Sequence, residues 1–295
     1  MNTVHYTSCP VCSSTSIDPL LTVKDHSISK EEFTIWQCAR CALRFTQDAP
    51  DETSISAYYQ SEDYISHTNT QKGFINKAYQ FVRNYTLKQK ANLIKRFTKE
   101  QGNILDIGAG TGAFLHTMKQ HGWNVTGIEP DGGAREQAKR IYDLQLHQTD
   151  SFPMLPASGF DAITMWHVLE HVHQLHDYVE QLKVLLKPEG TVFIAVPNYT
   201  SLDAQLYGNY WAAYDVPRHL FHFSPQSMHQ LMELHGLKIV AKKPMWFDSF
   251  YVSLLSSKYR NGNMIAAGIN GLRSNMNALI NKERCSSVIY IIRKA

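Results

Sequence analysis

Ile104-Leu105-Asp106-Ile107-Gly108-Ala109-Gly110-Thr111-Gly112 is the stretch that decides the fold. A short apolar run ends in glycines at alternate positions and passes into a helix-forming segment, Gly112–Gln120. Glycine lets a backbone turn sharply and pass close beneath a ligand. Such a turn at the carboxyl end of a parallel strand is where doubly wound sheets form their binding crevice. Glu129 lies 21 residues beyond Gly108, at the end of a second predicted strand, Trp123–Ile128. A carboxylate there can accept from both hydroxyls of a ribose.

Working outward, strands and helices alternate. Helix is predicted over Gly133–Tyr142, strand over Leu144–His147, and a buried strand over Phe160–Trp166. A helix over Leu175–Leu186 stops at Lys187-Pro188-Glu189-Gly190, and a strand follows over Thr191–Val196. Ser224 and Pro225 open a helix reaching about His235. Strands are expected at Leu237–Lys243 and Ser287–Arg293, with a helical excursion between them. Upstream, Phe74, Ile75, Ala78, Phe81 and Val82 recur at helical spacing, after a polar segment carrying Tyr58, Tyr59 and Tyr64. This rhythm specifies an α/β, doubly wound, Rossmann-like architecture.

The glycine spacing and its acidic neighbour weigh against one cofactor class. A dinucleotide fingerprint reads G-x-G-x-x-G, whereas Ala113 follows Gly112 here. Asp106 also stands two residues before the first glycine, where it would repel a pyrophosphate. It would attract an ammonium. S-adenosylmethionine carries an ammonium, a sulfonium and a ribose diol, and no phosphate.

On these residues the chain resembles the class I S-adenosylmethionine-dependent methyltransferases over roughly residues 100–295. The resemblance implies that Asp106, Gly108, Gly110 and Gly112 hold the methionine end, that Glu129 holds the ribose, and that Asp150 and Ser151 reach the adenine. His167 follows the fourth strand and joins the cofactor-binding set. Leu186-Lys187-Pro188-Glu189-Gly190 matches the family's turn before its fifth strand. The implied sheet is seven-stranded and mostly parallel, with an antiparallel last strand.

Four of the 5 cysteines form two C-x-x-C pairs, Cys9/Cys12 and Cys38/Cys41. Two such knuckles make a closed tetrahedral thiolate site suited to structural Zn2+. The expected layout is a zinc-ribbon module at 1–48 and a methyltransferase domain at 49–295. The latter has a helical lead-in at 70–100 and insertions at 198–223 and 245–285. Cys285 reads as a buried small hydrophobe. A composition of 43% apolar and 19% charged residues excludes global disorder. A net charge of +3 gives no electrostatic footprint for nucleic acid. With no signal-peptide pattern and no apolar run long enough to span a bilayer, the expected compartment is the cytoplasm.

Six of the 14 histidines lie in two stretches. His167, Glu170 and His171 have i, i+3, i+4 spacing, and the segment resembles the Glu-x-x-Glu-His of ubiquinone-biosynthesis O-methyltransferases, which is associated with a divalent metal. His167 here replaces the first acid. Three uses stand open: a general base, a divalent metal site at His167/Glu170/His171, or pocket lining. His173 and His176 read as solvated. The second stretch, 210–223, supplies Tyr210, Trp211, Tyr214, Asp215, Arg218 and His222 as candidate substrate contacts, with a self-packed loop as the alternative. The aromatic segment Met245–Lys258 can wall an acceptor pocket, contact a lipid-linked substrate or form a dimer face of a homo-oligomer, with core packing favoured.

The expected function is methyl transfer to the oxygen or carbon of a small or carrier-linked acceptor, with His167 or His171 as base and His219 behind them. The rival readings are an RNA or protein methyltransferase docking through its zinc ribbon, and a non-catalytic cofactor-binding scaffold.

Overall fold

The structure, a computed structural model, describes residues 2–59, 74–98 and 101–295, with backbone alone for 74–81. Tyr64 and the start of the lead-in therefore lie outside the described residues. In chain order the strands are β1 (Thr3–Val4), β2 (Ile17–Lys24), β3 (Glu32–Cys38), β4 (Arg44–Thr46), β5 (Ala49–Pro50), β6 (Asn103–Ile107), β7 (Asn124–Ile128), β8 (Phe160–Trp166), β9 (Leu186–Pro197), β10 (Phe221–His222), β11 (Leu237–Pro244) and β12 (Ser287–Lys294). The helices are α1 (Phe74–Phe97), α2 (Ala113–Gln120), α3 (Gly132–Tyr142), α4 (Leu175–Leu185), α5 (Leu202–Tyr207), α6 (Pro225–Leu234), α7 (Asp248–Tyr259) and α8 (Met264–Ile280).

A six-stranded, mostly parallel sheet runs in the order β11-β12-β9-β8-β6-β7, with the last strand antiparallel. The chain divides into two units. One comprises 62–166, 180–194 and 292–295, and the other 1–61, 167–179 and 195–291. In the first, β6 is the parallel centre: Asp106 is opposite Gly127 on β7 and Thr164 on β8. The central strands are buried, as their near-continuous apolar runs require of a sheet covered on both faces.

The expected seventh strand does not form among the described residues. Residues 144–147 make only an isolated bridge, Ile128 to His147. Leu144 and Leu146 are buried, but the segment alternates with polar residues and turns at once into the short 3-10 stretch Thr149–Met154. The turn at Lys187-Pro188-Glu189-Gly190 is absorbed into β9, which begins at Leu186.

In the second unit, β10-β4-β3-β2 form an antiparallel sheet, with Phe45 opposite both Trp36 and Phe221. Val23 and Ile35 of this small sheet share a core with Tyr199, Tyr207, Trp211, Tyr214 and Val216. A four-cysteine module builds little core of its own. Here the aromatic stretch after β9 supplies it.

Candidate functional site

The glycine turn is built from local geometry. Gly108 and Ala109 N–H groups both donate to the Ile128 carbonyl, folding the turn over the end of β7. Gly110 has φ +53, and a Cβ there would meet nothing within 4 Å. Its demand is therefore for backbone freedom, with open space above it. Gly112 has φ +78, and its Cβ would crowd Ala138 at 3.1 Å and Leu144 at 3.2 Å.

Two buried carboxylates belong to this turn. Asp106 is buried and accepts from Thr164 Oγ1 at 2.5 Å. Burial raises its pKa to about 7, outweighing the opposing Thr164 hydrogen bond and the Lys90 charge. Glu129 accepts from Gly110 N at 2.7 Å through Oε2 and from Asp131 N at 3.0 Å through Oε1. Burial raises its pKa as well. Asp150 is exposed and Ser151 half-buried, on the 3-10 turn Thr149–Met154. Sequence reasoning missed Lys90 of α1, whose Nζ lies 4.2 Å from the Trp166 ring centroid. Such cation–π placement depends on a tertiary contact that no short motif encodes.

After β8 the backbone does not continue as a helix. His167 has φ +58, and only Leu169–His171 makes a 3-10 turn. The expected shared face of His167, Glu170 and His171 is therefore not formed. His167 instead lies with Nε2 at 2.9 Å from Asp248 and Nδ1 at 3.4 Å from Glu170. Burial opposes its charge, but hydrogen bonds and charge from Asp248 and Glu170 prevail and raise its pKa to about 10. Held protonated by these two carboxylates, it is poorly suited to take a proton as the base.

His219 takes its place. The Leu220 N–H donates to the Glu170 carbonyl at 2.8 Å and draws the two segments together. One ligand atom each from Glu170, His171 and His219 lies within 4.8 Å of the others. His171 Nδ1 is 3.0 Å from the Arg218 carbonyl, and His219 Nδ1 is 2.9 Å from the Ala213 carbonyl. A carbonyl only accepts, so each Nδ1 carries the proton and each Nε2 keeps its lone pair. Burial lowers the His171 pKa to about 4, keeping that ring neutral. Both carboxylate oxygens of Glu170 are buried, and Oε1 faces His167 Nδ1 at 3.4 Å. A buried carboxylate beside two imidazole lone pairs, each ring oriented by a backbone carbonyl, is a set of donors that could hold a divalent cation.

Most of the candidate substrate contacts pack as in the self-packed-loop alternative. Trp211 and Tyr214 are buried in the shared core, and Trp211 donates to Asp203 at 2.8 Å. Arg218 is 1% exposed, and its guanidinium joins Asp25 at 2.9 Å and Asp215 at 2.7 Å. His222 is buried with Nε2 3.1 Å from Thr46 Oγ1, and burial pushes its pKa well down. These groups are already satisfied by protein partners, so they hold the fold together. Tyr210 remains exposed. His173 and His176 are half-buried and bonded to the Pro50 and Pro10 carbonyls, not solvated.

The four paired cysteines converge. Cys9 and Cys41 Sγ atoms lie 3.5 Å apart, and Cys12 and Cys38 3.6 Å apart, all as free thiols. A tetrahedral site with metal–sulfur bonds of about 2.3 Å needs sulfurs roughly 3.8 Å apart. The hydrogen bond from Cys41 lowers the Cys9 thiol to about 5. Cys285 is buried, and burial pushes its thiol up to about 12.

A family model described as methyltransferase domain matches residues 80–242. The ubiquinone biosynthesis O-methyltransferase of Actinobacillus pleuropneumoniae serotype 7 is 35% identical over 129 residues, 39% of this chain and 51% of that one. The mitochondrial ubiquinone biosynthesis O-methyltransferase of Rattus norvegicus is 27% identical over 187 residues, 58% of this chain and 54% of that one. The chain thus spans about half the length of the curated relatives it matches. Magnesium protoporphyrin IX methyltransferase from Synechocystis PCC 6803, with bound SAH, aligns with TM-score 0.54 at 13% identity, covering 83% of this chain and 100% of that one. A 1,6-didemethyltoxoflavin-N1-methyltransferase from Burkholderia thailandensis aligns with TM-score 0.51 at 14% identity, covering 92% and 100%. At these identities the structural likenesses concern the fold alone.

Proposed function

Because the chain belongs to the methyltransferase domain family, we propose that it transfers a methyl group from S-adenosylmethionine to a small-molecule or carrier-linked acceptor, favouring oxygen. The observation that carries this reading is the open space over Gly110, where a Cβ would meet nothing within 4 Å, on a turn that also holds the buried carboxylates of Asp106 and Glu129. Asp106 accepts the cofactor's ammonium, with Thr164 fixing the carboxylate. Glu129 accepts from the ribose hydroxyls, and exposed Asp150 with Ser151 reaches the adenine. The cofactor supplies an electrophilic methyl on its sulfonium.

The Glu170, His171 and His219 set fits a divalent cation, which would lower the pKa of a bound acceptor hydroxyl. His167 as an imidazolium, held by Asp248, steadies the Glu170 charge. Tyr210 is the remaining candidate for lining the acceptor. The two C-x-x-C pairs hold a structural Zn2+ within a ribbon module at 1–48, and 49–295 form the methyltransferase domain. The five free thiols suit a reducing compartment such as the cytoplasm.

The test is incubation with methyl-labelled S-adenosylmethionine and a panel of phenolic small molecules, with RNA and protein substrates alongside. Label in a phenolic ether supports the proposal. Label confined to RNA or protein contradicts it. Asp106 makes a second prediction. Only the ionised carboxylate accepts an ammonium, and its pKa without ligand is about 7. Cofactor affinity should therefore fall about tenfold from pH 8 to pH 6, measured by calorimetry. Asp106→Asn should bind weakly and flatten that slope. Glu170→Gln should weaken Mn2+ binding about a hundredfold and leave cofactor affinity unchanged.

A further inference from the structure

Helix α8 is built inside out. The residues it turns inward are small: Ala267, Gly271, Ser274 and Ala278. A Cβ at Gly271 would come within 3.0 Å of the Phe250 Cα, so α7 and α8 pack backbone to backbone. Its large apolar residues face out. Ile265 is 74% exposed, Leu272 53%, Met276 58% and Leu279 69%, with Ile269 between them and Ile280 at the end. The spacing 265, 269, 272, 276, 279 is one continuous stripe, of the kind a surface helix normally turns into a core. Next to it α7 and its lead-in expose Trp246, Phe247, Tyr251 and Leu254.

The charge carried by this segment has one sign. Between Asp248 and Glu283 the sequence holds no acidic residue, while Lys258, Arg260, Arg273 and Lys282 are all exposed. The bounding acids are engaged, Asp248 with His167 and Glu283 with Lys242 at 2.7 Å. A second copy of the chain would bring the same positive charge against itself. A bilayer surface carrying anionic lipid offers apolar depth for the stripe, negative charge for the basic residues and an interfacial layer for Trp246 and Tyr251.

We propose that the exposed face of α7 and α8 docks on an anionic membrane surface. The helix lies along the interface. At 17 residues α8 is shorter than the ~20 needed to cross, and no helix of the described residues is long and apolar enough to span a bilayer. The inference stands apart from the methyl-transfer reading, since neither the face nor its charge uses the cofactor residues.

Flotation of the full chain with vesicles tests it. Vesicles of phosphatidylcholine containing about 30 mol% phosphatidylglycerol should carry the protein up, and phosphatidylcholine alone should carry far less. Arg260→Ala with Arg273→Ala and Lys282→Ala should lower partitioning about a hundredfold at low salt. Ile269→Gln with Met276→Gln should lower it at least tenfold with circular dichroism and zinc content unchanged, since both side chains are already exposed. Absence of binding to the anionic vesicles, or equal binding by all three proteins, would overturn the proposal. So would a sedimentation-velocity dimer that dissociates in the Ile269→Gln/Met276→Gln variant while vesicle binding is absent.

Discussion

Gly110→Arg abolishes S-adenosylmethionine binding, by at least about a hundredfold, while the protein stays folded. Both halves of this expectation come from one geometric fact: a Cβ at Gly110 meets no protein atom within 4 Å. The added side chain therefore enters ligand space and not the core. The φ of +53 adds strain of about 1–2 kcal/mol, because L-residues crowd the following carbonyl there. That strain is a fraction of the ~5–15 kcal/mol stability of an ordinary domain. Gly110→Ala separates the two effects. It carries the same backbone strain without the bulk, so it should bind the cofactor more weakly than wild type and far better than the arginine variant. Calorimetry reads affinity, and thermal unfolding reads the fold. A Gly110→Arg protein that binds the cofactor normally would remove the glycine turn from the site.

Cys38→Ser should cost about one zinc per chain and several kcal/mol of stability. Three thiolates close no tetrahedral site, and structural zinc contributes directly to folding free energy. The damage should reach beyond the ribbon. Ile35 and Val23 of β3 and β2 share their core with Trp211 and Tyr214. Loss of the metal should therefore loosen that cluster and shift tryptophan emission to the red, with the same shift on adding a strong chelator to wild type. Metal analysis of the wild type decides the assignment: one zinc is expected, and a zinc-free folded protein would end the ribbon reading.

How much of this was legible beforehand follows from the range of each interaction. The glycine turn with its buried acids Asp106 and Glu129 was readable because these residues lie within one strand–turn–helix unit and the end of the next strand. The C-x-x-C pairs were readable because a knuckle is local. The Glu170, His171 and His219 cluster was only half readable. Glu170 and His171 are neighbours, but His219 joins them through the Leu220 N–H bond to the Glu170 carbonyl, fifty residues away in sequence. His167 was misplaced because its φ of +58 breaks the helical spacing on which its alignment rested. The aromatic stretch 210–223 looked like an acceptor wall because aromatics serve both pockets and cores. Its partner, a ribbon too small to fill its own interior, was not visible from that stretch. For α8 the periodicity was plain in the sequence, but which face turns inward is set by the close approach of Gly271 to Phe250.

The central claim is that the crevice over the glycine turn takes S-adenosylmethionine. Calorimetric titration of the wild-type chain with S-adenosylmethionine, and separately with NAD, tests it most directly. Saturable binding of one S-adenosylmethionine per chain, lost in Gly110→Arg, with no heat from NAD, is the predicted result. Binding of NAD without binding of S-adenosylmethionine would contradict it.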